Sequence, residues 1–556
     1  MASELDTLVR RYALNNAVEH NGKSNAKSIL SKILGDNPNL RANVLQIKSL
    51  SEEISIKINK MTLATQKKEL SSLGVIEKKI IQEKKGLPEM VRAVKGSFAV
   101  RFAPNPDGAL HLGGARPAIL NLEYAKKYNG KFILRFDDTD PSGTLKSPKK
   151  EFYKMIQDDL KWLGVKPKQI VIASKRLNLY YKHAEELIKK GGAYICTCDR
   201  EKWKKMIDKN KACPCRDEKP VDVMKKWDKM KKFKFKQGEA VMRIKTDLEH
   251  RNPAVRDWPA FRIVDKVVHP FVKNKHLWPL YNFQSAIDDH TLGITHILRG
   301  QEHSTNAVKQ QFLFEHFGWE SPVVVILGRF SMTDSVLSKS TIAQGIIDGK
   351  YTGWDDLKVG TIKSLKRRGF QAEAITNMIL DIGSKPSDIT VSLENLAAYN
   401  RKLIDQDAKR YFYIKDPVEI TIDNPLKRSA IIKSHPDNKK LGSRTLKVGK
   451  KIFIESEDFA KYRGMEIRLK DLFNIKLGKI SKATSVENKS IPKIHWIPDK
   501  QYISVRVMEA KEIKEGIGEI NIKKTKPGEI VQFERFGFVK IEKVQPKAVV
   551  AVFAHK

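Results

Sequence analysis

The sequence predicts an α/β fold built around a parallel sheet, preceded by a helical region and followed by small β-barrels. Three observations lead to this prediction. Short apolar strands alternate with helical patterns in the middle of the chain, as they do in parallel α/β sheets. Residues 1 to 95 have a polar, helical pattern. From Val418 onward, short strands are separated by Gly, Pro, Asn and Asp, which is typical of barrels.

The composition restricts the partners of this chain. Its 556 residues predict several domains. Lys and Arg number 104 against 65 Asp and Glu, and this formal net charge of +39 is spread along the chain. Such a distribution favours binding to a long polyanion over one local acidic partner, although an adaptation for solubility is the alternative. Without a membrane-spanning apolar run or a secretory pattern, we expect a cytoplasmic protein with no membrane partner.

The first 95 residues predict an appended helical domain. Asp6–Ala13 begins one amphipathic segment, and Ala42–Leu63 has apolar residues at steps of three and four among polar ones. The turn Gly86-Leu87-Pro88 closes the region. No catalytic constellation occurs here, and the sequence leaves the role of this region open, with binding to another protein as one expectation.

The stretch from Ser97 to Asn121 predicts a phosphate-binding strand, turn and helix. Alternating apolar residues from Phe98 to Phe102 suit a strand, and His111-Leu112-Gly113-Gly114 begins a helical pattern after a Pro/Asn/Asp/Gly loop. Phosphate is attracted to the free N–H groups at such a helix start, and glycines let the backbone approach a nucleotide closely. A tight turn with a buried histidine is the alternative.

Later strands place further polar groups at their carboxyl ends. The predicted strand Lys131–Phe136 ends in Asp137-Asp138-Thr139-Asp140, and the strand Ile294–Leu298 ends in Arg299. Open α/β sheets bind ligands at this edge. After the apolar strand Val323–Leu327, the segment Ser331–Ser340 is small and polar and carries Lys339. A cation on such a loop stabilises charge that develops on phosphates, although a plain solvated loop fits the same composition.

An insert from about Tyr194 to Pro279 interrupts the alternation of strands and helices. It contains every cysteine of the chain, as Cys196-Thr197-Cys198, fourteen intervening residues, and Cys213-Pro214-Cys215. Two close pairs suit a structural Zn²⁺ bound by four thiolates, with reduced, metal-free thiols as the alternative. A lysine-dense helix is predicted from Lys225 to Lys236, with Trp227, Phe233 and Phe235 between the lysines. Contact with phosphate is the favoured interpretation, and a solvated helix is the alternative.

Two stretches, His111–Gly114 and Leu337-Ser338-Lys339-Ser340, resemble the two signatures of class I aminoacyl-tRNA synthetases. The surrounding residues narrow the resemblance to the glutamyl/glutaminyl subgroup: Arg101–Gly108 is similar to its leader, Arg135–Asp140 to its second motif and Asn252–Pro259 to its insert. The resemblance covers residues 97 to 556. The archaeal-type glutamyl members of this family also carry a helical N-terminal extension like residues 1 to 95.

The chain departs from the family signatures at three positions. Gly114 stands where the first signature has a second histidine, and Val336 and Leu337 replace a lysine and a methionine of the second. Lys339 is therefore expected to supply most of the charge in its loop.

The resemblance implies a domain order and a set of substrates. It implies a Rossmann-like catalytic domain (96–193 and 280–349), an acceptor-end-binding insert (194–279), a helical stem-contact region (350–400) and anticodon-binding barrels (401–556). It implies ATP with Mg²⁺, L-glutamate and tRNA(Glu) as substrates, with a monomer favoured. Candidate base-contacting residues of the barrels are Arg444, Arg463, Arg468 and the run Phe533–Phe538, with core packing expected for most of the phenylalanines.

The resemblance also assigns site residues. His111, Gly113 and Lys339 are expected to be catalytic, and ATP is expected to contact Asn105, His111, Gly113, Gly114, Ser338 and Lys339. Arg299 would face the γ-carboxylate of glutamate, because a guanidinium pairs bidentately with a carboxylate. Arg101 would be a second cationic contact, Asp137 would take the α-ammonium and Tyr281 would line the pocket. A structural salt bridge of Arg299 is the alternative.

Other functions remain open at this point. A glutaminyl-tRNA synthetase and a glutamyl enzyme that also charges tRNA(Gln) share most of these motifs. A tRNA-binding assembly component without catalysis is disfavoured, because both nucleotide signatures are present.

Overall fold

The structure, a computed structural model, describes residues 2–37, 40, 43–74 and 86–556. The chain divides into two compact units, Met1–Gly86 and Leu87–Lys556. The first unit is helical, with Ile33 and Ile54 among its fully buried residues. Its helices are α1 (Ala2–Glu19), α2 (Ala26–Asp36), α3 (Val44–Ile58) and α4 (Leu63–Leu73).

Side-chain caps fix two of these helix starts. The Asn25 side chain accepts a hydrogen bond from Ser28 N before α2, and Thr62 accepts one from Thr65 N before α4. The predicted segment Ala42–Leu63 thus contains one helix, α3, and a turn at 59–62, and the cap at Thr62 begins α4 at its last residue. Ala42 itself, and residues 75–85 of the predicted helical region, lie outside the described residues.

The second unit begins with a parallel sheet, as the strand and helix alternation predicts. Its first elements are β1 (Ala99–Phe102), α5 (Leu112–Lys127), β2 (Lys131–Phe136), α6 (Lys150–Trp162), β3 (Gln169–Ile172) and α7 (Leu177–Lys189). Strands β1, β2 and β3 pair in parallel, with Ala99 opposite Lys131 and Ile133 opposite Gln169. Helices α5 and α6 pack their apolar faces on this sheet, whereas α7 packs in a second core that it shares with residues 193–287.

The insert is a four-stranded antiparallel sheet with two helices. Its elements are β4 (Ala193–Cys196), α8 (Arg200–Asp208), α9 (Pro220–Lys231), β5 (Val241–Ile244), β6 (Pro259–Ile263) and β7 (Leu277–Pro279). The predicted lysine-dense helix is wrong in its bounds. A proline at the first helical position begins α9 at Pro220, and the left-handed φ of 52° at Phe233 excludes a continued helix to Lys236.

The parallel sheet then resumes. The next elements are α10 (Tyr281–Thr291), β8 (His296–Gly300), α11 (Ser304–Phe317), β9 (Val323–Leu327), β10 (Phe330–Met332) and α12 (Lys339–Ile347). Strands β8 and β9 pair in parallel, and the N–H of Thr295 donates to Ala99 O over 2.9 Å, which sets β8 beside β1. The order β3-β2-β1-β8-β9 therefore brings the carboxyl ends of β1, β2 and β8 together.

A mostly helical region follows, made of α13 (Ile362–Arg368), α14 (Ala372–Ile382), β11 (Ile389–Val391) and α15 (Leu393–Ile404). Strand β11 pairs in parallel with β10, so this region is attached to the segment that leads to Lys339.

The remainder of the chain forms two curled seven-stranded sheets, as the recurring short strands predict. The elements are β12 (Arg410–Tyr411), β13 (Tyr413–Lys415), β14 (Pro417–Asp423), β15 (Ser429–Lys433), β16 (Ser443–Lys447), β17 (Lys451–Glu455), α16 (Ser456–Tyr462), β18 (Glu466–Leu469), β19 (Asn474–Lys476), β20 (Ile480–Ser485), β21 (Lys493–Ile494), β22 (Ile497–Pro498), β23 (Tyr502–Met508), β24 (Ile513–Glu519), β25 (Ile530–Phe533), β26 (Gly537–Val544) and β27 (Ala548–His555). One sheet has the order β21-β18-β19-β20-β14-β17-β22 and the other β12-β25-β26-β27-β23-β24-β13; β15 and β16 form a separate hairpin. Each curled sheet encloses its own apolar core.

Within the described residues, every helix is too short or too polar to cross a lipid bilayer.

Candidate active site

A cleft of about 640 Å³ opens at the carboxyl ends of β1, β2 and β8. The structure brings nearly all of the sequence-predicted site residues to its walls. These are Arg101, Asn105, His111, Gly113, Gly114, Asp137, Tyr281, Arg299 and Lys339. Ser338 is not part of the lining; its side chain instead caps α12 by accepting from Thr341 N over 3.4 Å.

His111 caps the helix start that the sequence predicted. The imidazole Nδ1 accepts a hydrogen bond from the N–H of Gly114 over 3.1 Å. Burial, and then the positive charge of Lys339, lowers the pKa of His111 to about 3. The ring is therefore neutral near pH 7, and because Nδ1 is an acceptor, the proton is on Nε2. His111 can donate one hydrogen bond from Nε2 to an anion in the cleft.

Lys339 lies at the first turn of α12 and reaches back to the loop after β1. Its Nζ donates to Asn105 O over 2.8 Å and to Asp107 Oδ1 over 2.9 Å. The Asn105 side chain donates to Lys146 O over 2.6 Å, while its Oδ1 is buried without a partner. Lys339 of the predicted lysine loop thus contacts the leader segment Arg101–Gly108 directly, although the two are separated by more than 220 residues of sequence.

Arg299, at the end of β8, is buried with only 4% of its surface exposed. Its one hydrogen bond among the described residues joins an Nη to Gln310 Oε1 over 3.0 Å. The Nε and the other Nη are buried without partners, and burial lowers the pKa of this guanidinium. The structural salt bridge considered as the alternative is not found for Arg299. A desolvated, unpaired cation in a cleft is suited to binding an anion.

Arg101, by contrast, already has a carboxylate partner. Its Nε donates to Asp289 Oδ1 over 3.0 Å. Asp289 also accepts from Arg135 over 2.7 Å, and both arginines are buried. Burial alone would raise the pKa of Asp289, but the charges of Arg101 and Arg135 outweigh it and the pKa is lowered. Arg101 therefore lines the cleft as part of an ion-pair network.

Asp137, at the end of β2, belongs to the same network. Arg135 donates to both of its carboxylate oxygens, over 2.6 and 3.2 Å, and Gln284 donates to Oδ1 over 3.0 Å. Ser285 accepts from Arg135 over 2.8 Å. The carboxylate of Asp137 is thereby held in one orientation at the cleft wall, and Arg135 balances part of its charge.

Several cleft residues were missed by the sequence reasoning. One of them, His303, stands beside the predicted Tyr281, with ring centroids 5.8 Å apart. Another, Arg262 of the insert, donates to Asp140 over 2.7 Å. Thr139 and Asp140 belong to the predicted second motif, so their spacing after β2 could have indicated them, and Glu302 and His303 follow the end of β8 in the same way. For Arg262 no local signal exists. The further lining residues with polar side chains are Thr139, Arg262, Glu302 and His303.

The four cysteines of the insert form a second candidate site. All four sulfur atoms lie within 4.8 Å of one another. Cys196 and Cys213 are 3.9 Å apart at sulfur, and Cys198 and Cys215 are 3.7 Å apart. Zn–S bonds of about 2.3 Å in a tetrahedron require sulfur atoms about 3.8 Å apart, so this donor set fits zinc.

The aromatic residues of α9 and the following turn pack inside the insert rather than facing a partner. Trp227 is fully buried, and Phe233 stacks on His276 with centroids 3.8 Å apart. Lys225 and Lys231 pair with Asp222 and Glu185. Trp227 is therefore a core residue, and the half-buried Phe233 and Phe235 pack against the same core, so stacking of these rings gives little support for a phosphate-contacting face.

The candidate base-contacting residues of the two curled sheets differ in their contacts within the protein. Arg444 pairs with the buried Glu519, and Arg468 donates to Asn474 Oδ1 over 2.9 Å. Phe533 and Phe538 are core residues, as expected. Arg463 lies over the ring of Phe459, 5.9 Å from its centroid.

Comparison with known proteins agrees with this architecture. The catalytic-domain model of the class I tRNA synthetases (E and Q) matches residues 97–406, and two anti-codon binding domain models of the same class match residues 408–495 and 493–542. Glutamate–tRNA ligases of Pyrococcus furiosus and Pyrococcus abyssi are each 50% identical, over 100% of this chain and 100% of the relative. A crystal structure of a glutamate tRNA ligase from Elizabethkingia meningosepticum in complex with its amino acid matches 56% of this chain and 71% of that chain, at 22% identity and a TM-score of 0.41.

The parallel sheet, the histidine and lysine motifs that meet at its carboxyl edge, and the matching domain models lead to one assignment: the chain belongs to the class I tRNA synthetases (E and Q).

Proposed function

We propose that this protein is a glutamate–tRNA ligase, which activates L-glutamate with ATP and transfers it to the 3′ end of tRNA(Glu). The family assignment limits the amino acid to glutamate or glutamine, and the relatives at 50% identity are named glutamate–tRNA ligases. The observation that carries the choice is Arg299, whose buried guanidinium has two nitrogens without partners. A carboxylate compensates this buried charge and accepts from an unpartnered nitrogen, whereas a neutral amide leaves the charge uncompensated.

The glutamate site is proposed to lie between β1, β2 and β8. Arg299 would pair with the γ-carboxylate and Tyr281 would line the pocket beside it. Asp137 would accept the α-ammonium, held in place by Arg135 and Gln284. Arg101, proposed as a second contact of glutamate, would line the pocket while paired with Asp289 and leave Arg299 as the uncompensated cation.

The ATP site is proposed to lie between the start of α5 and the start of α12. The neutral His111 would donate from Nε2 to a phosphate oxygen, while Gly113 and Gly114 let the helix N-terminus approach. Lys339 would leave Asp107 to follow the departing pyrophosphate, with Asn105 and Ser338 shaping the two loops. Mg²⁺ would accompany ATP and neutralise part of the phosphate charge.

The reaction has two steps. An oxygen of the glutamate α-carboxylate attacks the α-phosphorus of ATP, and the bond to the bridging oxygen breaks to release pyrophosphate. The 2′-hydroxyl of the terminal adenosine then attacks the carbonyl carbon of glutamyl-adenylate, gives up its proton, and AMP leaves. The protein residues act by positioning and by stabilising charge, with no covalent intermediate on the chain.

The remaining regions are proposed to bind tRNA. The insert (194–279) would approach the acceptor end, with its shape fixed by a structural Zn²⁺ on Cys196, Cys198, Cys213 and Cys215. Residues 350–400 would contact the stem and the curled sheets (401–556) the anticodon. We also propose a cytoplasmic monomer, with residues 1–95 available to another protein.

The test is a charging assay with glutamate and glutamine on wild type and on Arg299→Cys. The variant should lose roughly a hundredfold or more in kcat/KM for glutamate, because the γ-carboxylate loses a buried charged partner. Arg92→Cys is the matched control, since Arg92 is an exposed arginine paired with Glu320. Wild-type charging with glutamine alone would refute the proposed function, and full glutamate charging by Arg299→Cys would refute the role of Arg299.

A further inference from the structure

A short segment between α12 and α13 connects the two ATP signatures through backbone hydrogen bonds. The N–H of Gly360 donates to Val336 O, in the lysine loop, over 2.9 Å. The carbonyl of the same residue accepts from Leu112 N, at the start of α5, over 3.0 Å. A third bond, from Ile362 N to Leu110 O over 2.8 Å, extends the pairing along the first signature. One residue is thus bonded to both signatures, which are otherwise distant in sequence.

The same residue has no room for a side chain. A Cβ built on Gly360 would lie 2.5 Å from Leu337 Cδ2 and 3.2 Å from Met332 Sδ. On its other side Leu337 faces Gly113, where a Cβ would lie 3.7 Å from Leu337 Cδ1. Leu337 therefore fills the space between the two glycines. The glycine at 360 allows this close approach of the Leu337 side chain, and backbone conformation does not explain it, because its φ is not in the left-handed region.

We propose that Gly360 is a positioning residue for the adenylation step: it sets the lysine loop against the start of α5 and so fixes Lys339 relative to His111. The inference rests on the proposed function, because it assigns a geometry to the ATP site of a glutamate–tRNA ligase. Gly360 is not among the residues that line the cleft. The hydrogen bonds of the Lys339 side chain cannot hold the loop in place of Gly360 during the reaction, since Lys339 must release Asp107 and Asn105 in order to contact phosphate.

The decisive variant is Gly360→Ala, assayed by ATP–pyrophosphate exchange with tRNA present. Its methyl group would push Leu337 away and displace the lysine loop. We expect kcat to fall roughly tenfold to a hundredfold, since a displacement of about 1 Å costs this much in a positioned site. The KM for glutamate should stay unchanged, because β1, β2 and β8 are not disturbed.

Two further variants separate positioning from general destabilisation. In the double variant Gly360→Ala/Leu337→Ala the obstructing side chain is removed, so exchange should recover above Gly360→Ala and reach the level of Leu337→Ala alone. Gly192→Ala is the matched control, because its Cβ would lie 2.6 Å from Leu187 Cδ1, away from the cleft. It should lower the thermal midpoint as much as Gly360→Ala does and leave kcat unchanged.

The proposal is overturned if Gly360→Ala keeps wild-type kcat, or if the double variant is no better than Gly360→Ala. Should Gly360→Ala fail to fold, Leu337→Ala alone decides: kcat should fall at constant KM for glutamate, and an unchanged kcat would refute the positioning role. These outcomes are distinct from failure of the proposed function, which would show as wild-type protein that does not charge glutamate.

Discussion

At the scale of single residues, the three buried arginines near the ends of β1, β2 and β8 differ in whether a carboxylate balances their charge. Arg101 and Arg135 are neutralised by Asp289 and Asp137, whereas Arg299 keeps two guanidinium nitrogens without partners. Burying an unpaired charge costs free energy, so such a group is kept where a ligand completes it. The balanced pair gives the cleft its shape, and the unbalanced arginine gives it selectivity for an anion.

Asp289 is predicted to be the most sensitive member of this network. Asp289→Asn removes the carboxylate shared by Arg101 and Arg135 and leaves two buried cations. Breaking a buried ion pair from one side costs about 3 to 5 kcal/mol, so a clearly lower midpoint of thermal unfolding is expected. Because the folded pKa of Asp289 lies below its ordinary value of 3.8, this stabilisation is complete above that pH and is lost in stronger acid.

Glu515→Gln provides the comparison for that measurement. Glu515 pairs with Arg506 over 2.9 Å, but both side chains are more than 60% exposed. Exposed pairs contribute about 0 to 1 kcal/mol, so this variant should leave the midpoint almost unchanged. Equal midpoints for the two variants would contradict the assigned importance of the buried network.

At the scale of elements, strand and helix positions were predictable, whereas the pairing of side chains between them was not. The strand Lys131–Phe136 and the helix start at His111 follow from local periodicity and capping, and both were predicted correctly. The bond between Arg135 and Asp289 joins residues 154 positions apart. A single sequence carries only a weak sign of it: a charged residue within an apolar strand needs a partner. For the same reason Gly360 was not recognised, because its role depends on three separate segments meeting.

The cysteine cluster is the element whose chemistry is most directly testable. Protein produced with zinc available should contain about one zinc ion per chain, because the four sulfur atoms already stand at tetrahedral spacing. Cys213→Ser/Cys215→Ser removes one pair of ligands and should abolish stoichiometric zinc, measured by elemental analysis of dialysed protein. Charging of tRNA should fall together with the zinc content. Cys196 is the last residue of β4, so loss of the metal would disturb the insert that is proposed to approach the acceptor end.

Thr197→Ser is the control for the zinc prediction. Thr197 lies between two of the cysteines but keeps its hydroxyl in the variant, so zinc content should match wild type. Zinc-free wild-type protein, or full zinc content in the double serine variant, would show that the cluster is a set of reduced thiols.

At the scale of the whole molecule, the formal net charge of +39 means that many Lys and Arg side chains have no acidic residue to balance them. The network in the cleft is nearly balanced, with Arg101 and Arg135 set against Asp137 and Asp289. The excess charge therefore lies on the surface, where it attracts a polyanion at long range but discriminates poorly between sequences. Selection of the amino acid and attraction of tRNA are thus assigned to different charges.

This division predicts different salt dependences for the two substrates. The dissociation constant for tRNA should rise at least tenfold between roughly 50 and 200 mM KCl, because binding to phosphates releases counterions. The KM for glutamate, measured at saturating tRNA, should change little, because Arg299 is buried and salt screens mainly exposed charges. Filter binding of tRNA and charging kinetics over the same salt series provide both values. A flat tRNA affinity would mean that the surface charge serves solubility, and a glutamate KM that rises in parallel would place the amino acid among exposed cations rather than against Arg299.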